Sequence, residues 1–183
     1  MPTSWFYPNS VTQEATHPEY HIEWKSGNPS GSLAVLTATS ADNLTTVKNL
    51  LHIANATAGD IRMKTWYLYL TNFGLTNLPE TIAGVEIALN VKRSRVVEDT
   101  VQLLFRDELI GENQVYYAQD IEQHIKIVPN PTYGGDGKLW GATLTKSMLQ
   151  DPTFGICLRF QSHPYYPHSE APLLESVALR VHG

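Results

Sequence analysis

The sequence predicts an all-β protein built mainly from antiparallel strands. Three observations lead there: long runs with strict two-residue alternation, turn residues between those runs, and almost no helical periodicity. The clearest alternation lies in residues 82–105, where apolar and polar positions alternate both before and after the polar run 92–99. The alternating apolar residues are Val85, Ile87, Leu89, Val91, Val101, Leu103 and Phe105. Because strand side chains alternate between faces, we predict two long antiparallel strands forming a central hairpin.

Shorter runs predict the other elements in chain order. Further strands are expected at residues 33–38, 45–53, 63–72, 121–128, 153–160 and 175–182. The run 45–53 also fits helical spacing, and a strand is preferred there because its surroundings are β. A hairpin is expected to begin within residues 106–112, one helical turn at 145–149, and loops at 130–141 and 161–172. About eight strands with little helix predict a two-sheet antiparallel β-sandwich of jelly-roll or Greek-key type.

The first 32 residues predict an extended N-terminal arm, followed by a β-sandwich domain over residues 33–183. Pro, Ser, Asn and His are frequent there and no strand or helix period is sustained, yet five large aromatic residues are present. Disordered tails are usually poor in aromatic residues. The arm is therefore expected to lie in grooves of its own domain or of a neighbouring subunit.

The composition limits the classes of function. The chain has 183 residues, a hydrophobic share of 42% and a formal net charge of −5, which fits one domain with an arm. Its largest basic cluster is Lys92 to Arg95, so no nucleic-acid partner is expected. No apolar run approaches about 20 residues, so no membrane span is expected. The single cysteine, Cys157, forms no disulfide within the chain.

Candidate catalytic and metal-binding patterns are weak in this sequence. Two histidine pairs occur, His17 with His21 and His163 with His168, but both lie in proline-containing irregular segments that do not favour metal ligation. Two carboxylate pairs, Glu98–Asp99 and Asp107–Glu108, are interpreted as charged residues flanking strands. The glycines of residues 134–137 are interpreted as a turn. We expect no catalytic residue, no metal and no cofactor.

Aromatic residues near loops are the one unusual surface signal. Tyr and Trp are enriched at protein interfaces and at sugar-binding surfaces. They occur here at Tyr116–Tyr117, Tyr133, Trp140 and Tyr165–Tyr166, and Trp140 is expected only to anchor its loop. The residues predicted to bind partners are Trp5, Phe6, Tyr7, Trp24, Tyr165 and Tyr166.

Several phrases of the sequence together resemble a known family of modules. They are LTNFGLTNLPETIAGVEIALNVKR, EDTVQLLF, IGEN, YGGDGKLWG, TFGICLRF and ESVALRV. This order is similar to a jelly-roll-like β-sandwich module of bacteriophage and prophage virion proteins, over residues 24–182. The chain departs from that module in longer segments at 45–62 and 161–172. The module carries no catalytic residues, so the resemblance implies none here.

The resemblance implies a non-enzymatic structural component of a bacteriophage virion. It would act through protein–protein contacts as a tail, baseplate, neck or capsid-decoration subunit, assembled in the host cytoplasm and located in the virion. Its expected partners are other virion proteins and further copies of itself in a homo-oligomer. The alternative is a carbohydrate- or receptor-binding jelly-roll module with a surface glycan as partner. Glycan hydrolysis is a remote third reading that rests on the carboxylate pairs alone.

Overall fold

The computed structural model describes residues 1–14, 21–26, 44–46, 50–55, 59–92, 96–115, 130–162, 168–169 and 171–183. These residues form fifteen strands and one short helix. The first eight strands are β1 (Ser10–Glu14), β2 (His21–Ile22), β3 (Trp24–Ser26), β4 (Leu44–Thr46), β5 (Leu50–Asn55), β6 (Gly59–Arg62), β7 (Lys64–Thr65) and β8 (Tyr67–Thr71). The rest are β9 (Gly84–Lys92), β10 (Val96–Phe105), β11 (Glu108–Ile110), β12 (Thr132–Gly134), helix α1 (Lys146–Gln150), β13 (Gly155–Ser162), β14 (His168–Ser169) and β15 (Leu173–His182).

The strands form three sheets that are almost wholly antiparallel. A seven-stranded sheet has the order β1-β8-β13-β10-β11, with β7 also beside β13 and β2 parallel to β7. A five-stranded sheet, which is curled, has the order β12-β9-β15-β4-β3. A small sheet has the order β14-β5-β6. The all-β prediction is confirmed.

The predicted central hairpin is wrong, although both of its strands exist. Strand β9 pairs with β12 and β15 in the five-stranded sheet, whereas β10 pairs with β13 and β11 in the seven-stranded sheet. The polar run that was read as a hairpin turn therefore connects two sheets. Part of that run already belongs to β10, since the strand begins at Val96.

One hydrophobic core is lined by both larger sheets. Alternation within residues 82–105, 153–160 and 175–182 predicts ten core residues, and all ten are buried. They are Val85, Ile87, Leu89, Val101, Leu103, Phe154, Ile156, Leu158, Val177 and Leu179. Phe105, at the end of the same alternation, is only half-buried. Trp24 from β3 joins this core with 1% of its surface exposed. Its ring meets Phe160 edge-on with centroids 5.8 Å apart, and its Nε1 donates to the Trp66 carbonyl at 3.0 Å. Burying so large a ring in a shared core ties β3 firmly to both sheets.

The described part of residues 1–32 is integrated into the two larger sheets. Strand β1 pairs along its full length with β8, and β3 pairs with β4. The side-chain amide of Gln13 links them, since it accepts from the Trp24 backbone N–H at 2.9 Å and donates to the Trp24 carbonyl at 3.2 Å. Residues 27–43, which contain the predicted boundary after residue 32 and the predicted strand 33–38, lie outside the described residues.

The remaining local predictions have mixed outcomes. The hairpin between β10 and β11 is confirmed, and its two turn residues Arg106 and Asp107 both have positive φ, as a type I′ turn requires. The single helical turn is confirmed as α1, capped by the Thr145 hydroxyl, which accepts from the Met148 N–H at 3.2 Å. The described residues of the range 45–53 form strands rather than a helix, as predicted. The predicted strand 121–128 lies outside the described residues.

Candidate functional site

The outer surface of the β9–β15 ladder carries an ordered set of polar side chains. The two strands are paired in antiparallel register, and the residues between the buried Ile87, Leu89, Val177 and Leu179 must point away from the core. They form three successive cross-strand pairs, which are Glu86–Arg180, Ala88–Ala178 and Asn90–Ser176. One charged pair is thus followed by two pairs of small or neutral residues.

The N-terminal segment borders this face along β15. The Phe6 N–H donates to the Leu179 carbonyl at 2.8 Å, and the Leu179 N–H donates back to Phe6 at 2.9 Å. The Thr3 N–H likewise donates to the Val181 carbonyl at 2.8 Å. Because Phe6 packs toward the core beside Leu179, alternation directs Trp5 and Tyr7 to the outer surface.

The charged pair holds Trp5 in place. The Nε of Arg180 donates to Oε2 of Glu86 at 2.7 Å, and Nε2 of His182 lies 2.8 Å from the same oxygen. The guanidinium carbon of Arg180 lies 4.4 Å from the centre of the Trp5 ring, within cation–π range. Burial raises the pKa of Glu86, but its hydrogen bonds and charge interactions with Arg180 and His182 outweigh burial, so the pKa lies below its usual range.

Next to the charged pair, the same face opens into a trough of about 290 Å³. The pairs Ala88–Ala178 and Asn90–Ser176 form its floor together with Leu89, Trp5 and Tyr7 form one wall, and Asn130, two residues before β12, forms the other. The lining residues are Trp5, Tyr7, Ala88, Leu89, Asn90, Asn130, Ser176 and Ala178. Among these described lining residues none carries a formal charge at neutral pH.

A second polar cluster lies on the seven-stranded sheet and is centred on Asp99. Its two carboxylate oxygens meet Arg159 Nε at 2.6 Å and Lys64 Nζ at 2.9 Å, and the Thr100 hydroxyl donates to it at 2.9 Å. The Arg159 guanidinium also lies 4.3 Å from the Tyr67 ring centre. Burial raises the pKa of Asp99, yet the charges and hydrogen bonds of Arg159 and Lys64 prevail and hold it below its usual range. This cluster is a satisfied ion-pair network rather than an open site.

The glycine-rich turn expected at residues 134–137 supports the opposite end of β9. Trp140 is buried, and its Nε1 donates to the Val85 carbonyl at 2.9 Å. The Gly135 N–H donates to the same carbonyl at 3.0 Å. The expectation that Trp140 anchors its loop is confirmed.

The structure separates the predicted partner-binding residues into different places. Trp5 and Tyr7 line the trough, Phe6 packs half-buried against the core, and Trp24 is enclosed in the core of its own domain. The loop tyrosines Tyr165 and Tyr166 lie outside the described residues, as do His17 and His163. A role of these residues in binding partners stays a prediction.

The two carboxylate pairs singled out in the sequence differ in their exposure to solvent. Asp107 and Glu108 are exposed at the hairpin turn, as interpreted from the sequence. The interpretation of Glu98 and Asp99 as solvent-facing turn residues is wrong, because both are buried within β10. In the part of the chain that the structure describes, no group of three or more His, Cys, Asp or Glu side chains is arranged to hold a metal ion.

Sequence reasoning missed the polar residues of the trough. Asn90 and Ser176 are 86 positions apart in the chain, and only the β9–β15 register brings them opposite each other. The one signal available in the sequence was the small size of Ala88, Ser176 and Ala178 at outward positions of two long strands, which leaves room above the sheet.

No family model matches the sequence, and no curated protein matches it significantly. Within the described residues, none of the helical structure is long and apolar enough to cross a lipid bilayer.

Proposed function

We propose that this protein is a non-enzymatic structural component of a bacteriophage virion that acts through protein–protein contacts, as a tail, baseplate, neck or capsid-decoration subunit. We further propose that its two larger sheets form a jelly-roll-like β-sandwich. The sequence resemblance to phage virion modules supports both statements. An antiparallel all-β chain whose two larger sheets share one core is compatible with that module.

The observation that carries the contact role is the half-buried state of the N-terminal aromatic residues. Main-chain hydrogen bonds to β15 fix the segment on its own domain, yet Trp5, Phe6 and Tyr7 each keep part of their surface exposed. Burying a large apolar side chain from full exposure contributes about 1.5 to 3 kcal/mol, and a half-buried ring has only part of that gain left. A neighbouring subunit that covers this segment therefore gains free energy without first having to order it.

A second surface suited to contacts lies at the hairpin end of the seven-stranded sheet. Strand β11 is an edge strand among the described strands, and its Leu109 is 39% exposed. Leu139, 36% exposed, precedes Trp140, whose carbonyl accepts from the Glu112 N–H just beyond β11. Edge strands with exposed aliphatic residues readily pair with other chains, so this end is a suitable contact for a homo-oligomer or another virion protein.

Immunoelectron microscopy tests the virion role directly. Antibodies raised against the purified protein should label phage particles from the strain that encodes the chain, at one defined part of the particle. Particles that contain no trace of the chain by mass spectrometry would overturn the proposal.

Substitutions test the contact surface at the hairpin end. Leu109→Glu combined with Leu139→Glu should lower the mass in light scattering or reduce incorporation into particles, while the melting temperature stays unchanged. Thr12→Glu, at an exposed position of β1, is the matched control. Point substitutions are preferred to deletion of residues 1–24, since that deletion would remove the core residue Trp24 and strand β1.

A further inference from the structure

We infer that the trough above the β9–β15 ladder binds one or two rings of a neutral saccharide. This site goes beyond the proposed virion role, and it is open wherever no neighbouring subunit covers Trp5 and Tyr7. The volume of about 290 Å³ lies just below the usual range for ligand sites, roughly 300 to 1,000 Å³. It suits a compact ring better than a long or branched ligand.

The aromatic wall supplies the apolar contact that a sugar ring needs. One face of a pyranose ring exposes mainly C–H groups, and these pack well against Trp and Tyr rings. The Arg180 guanidinium lies over one face of the Trp5 ring, and the neighbouring Phe6 is held by two main-chain hydrogen bonds, so the other face of Trp5 is the one offered to a ligand. A ring already fixed in position loses little conformational freedom when a ligand packs on it.

The polar lining matches hydroxyl groups rather than ions. The side-chain amides of Asn90 and Asn130 and the hydroxyl of Ser176 can each donate and accept hydrogen bonds, as sugar hydroxyls do. The charged neighbours Glu86 and Arg180 are bound to each other across the ladder, 2.7 Å apart. A carboxylate or ammonium ligand would therefore meet no unpaired opposite charge among the described lining residues.

The floor argues against a peptide bound as an added strand. Strand addition requires a free edge with unpaired backbone N–H and carbonyl groups. Here β9 is flanked by β12, with Thr132 opposite Ala88, and β15 is flanked by Phe6 opposite Leu179. What the floor offers instead is a surface of small side chains on strands about 4.8 Å apart, wide enough for a ring.

Saturation-transfer NMR on the purified protein tests the inference. The probes are methyl glucoside, methyl galactoside, N-acetylglucosamine and maltose, with glucuronate as an acidic comparison. At least one neutral probe should receive saturation and shift the backbone amide signals of Ala88 and Ser176 but not that of Thr12. Glucuronate should bind at least tenfold more weakly than that neutral probe.

Variants locate the site. Ala88→Leu or Ser176→Leu places a large side chain on the floor and should weaken binding at least tenfold with an unchanged melting temperature. Trp5→Ala should do the same, whereas Trp5→Phe should retain part of the binding. Thr12→Leu, an exposed position on the other large sheet, is the control that should change nothing.

The inference is overturned if no neutral probe binds at millimolar concentration, if glucuronate binds best, or if both floor variants fold and bind like the wild type. Each measurement uses free protein without particles. Loss of the saccharide site and loss of the virion role are therefore distinguished.

Discussion

The Nε of Arg159 lies 2.6 Å from Oδ2 of Asp99 on the seven-stranded sheet. The register of β10 against β13 shifts between Glu98 and Thr100, so Asp99 occupies an irregular, bulge-like position beside the residue that pairs with Arg159. A bulge redirects a side chain that strict alternation would place on the other face. This local irregularity brings the carboxylate to its two cationic partners.

Replacing Asp99 with Asn should lower the free energy of unfolding by about 3 kcal/mol, because it leaves the largely buried Arg159 and the half-buried Lys64 without their counter-charge. Urea denaturation followed by tryptophan fluorescence measures the change. Asp107→Asn, at an exposed left-handed turn position that Asn adopts readily, is the matched control and should be nearly neutral. Equal stability of the two variants would show that the network contributes nothing net.

Acid should weaken the fold through the same carboxylate. The folded-state pKa of Asp99 lies below its usual value of 3.8, so its stabilising contribution is complete above that value and is lost as the pH falls through the folded pKa. The melting temperature should therefore stay constant well above pH 3.8 and drop as the pH is lowered below that value. The drop should be smaller in Asp99→Asn, and a drop of the same size would assign the acid sensitivity to other groups such as Glu86.

Truncating a buried side chain on the inward face of β9 or β10 should lower the stability of the fold. Leu89→Ala and Leu103→Ala each remove a buried side chain from the core and should lower the free energy of unfolding by about 2 to 5 kcal/mol. Leu109→Ala, at an exposed position of β11, should cost much less. A wild-type melting temperature in either core variant contradicts the assigned inward face.

Two glycines of one turn should respond differently to alanine. Both have positive φ, +80° at Gly134 and +73° at Gly137, so alanine is strained at either position. A Cβ at Gly134 would also clash with the Val85 carbonyl oxygen, whereas nothing lies within 4 Å of a Cβ at Gly137. Gly134→Ala should therefore lower the melting temperature clearly more than Gly137→Ala, and similar values would mean that backbone strain alone matters.

The thiol of Cys157 should be inert in the folded protein. It is buried, and burial raises its pKa to about 12, which leaves almost no thiolate at neutral pH. Ellman's reagent at pH 8 should detect no thiol in the native protein and one thiol per chain in guanidinium chloride. Rapid reaction of the native protein would show that strand β13 opens locally.

Individual strands and their inward residues followed from the sequence, but their partners did not. Alternation at Val85 to Leu89 and at Val101 to Phe105 reports that one face of each strand is buried, and says nothing about which strand lies beside it. The short connection suggested a hairpin, whereas β9 finds its neighbour near residue 178 and β10 finds its own near residue 157.

The candidate site was still less predictable. The aromatic character of Trp5 and Tyr7 was visible in the sequence, but the trough exists only because the N-terminal segment lies along β15. Asp99 was misread because a charged residue beside a polar run usually stays in solvent, and its two partners come from strands 35 and 60 residues away.

The position of β15 bears on how the chain reaches its folded state during synthesis. This strand, residues 173–182, lies between β9 on one side and β4 with residues 3–6 on the other. Until it leaves the ribosome, one edge of β9 and the Phe6 main chain lack the partner that β15 gives them in the described structure. Sheets dominated by such distant pairings fold slowly and expose unpaired strand edges while they fold. We therefore expect folding to depend strongly on chaperones, and we expect chains stopped before residue 173 to aggregate.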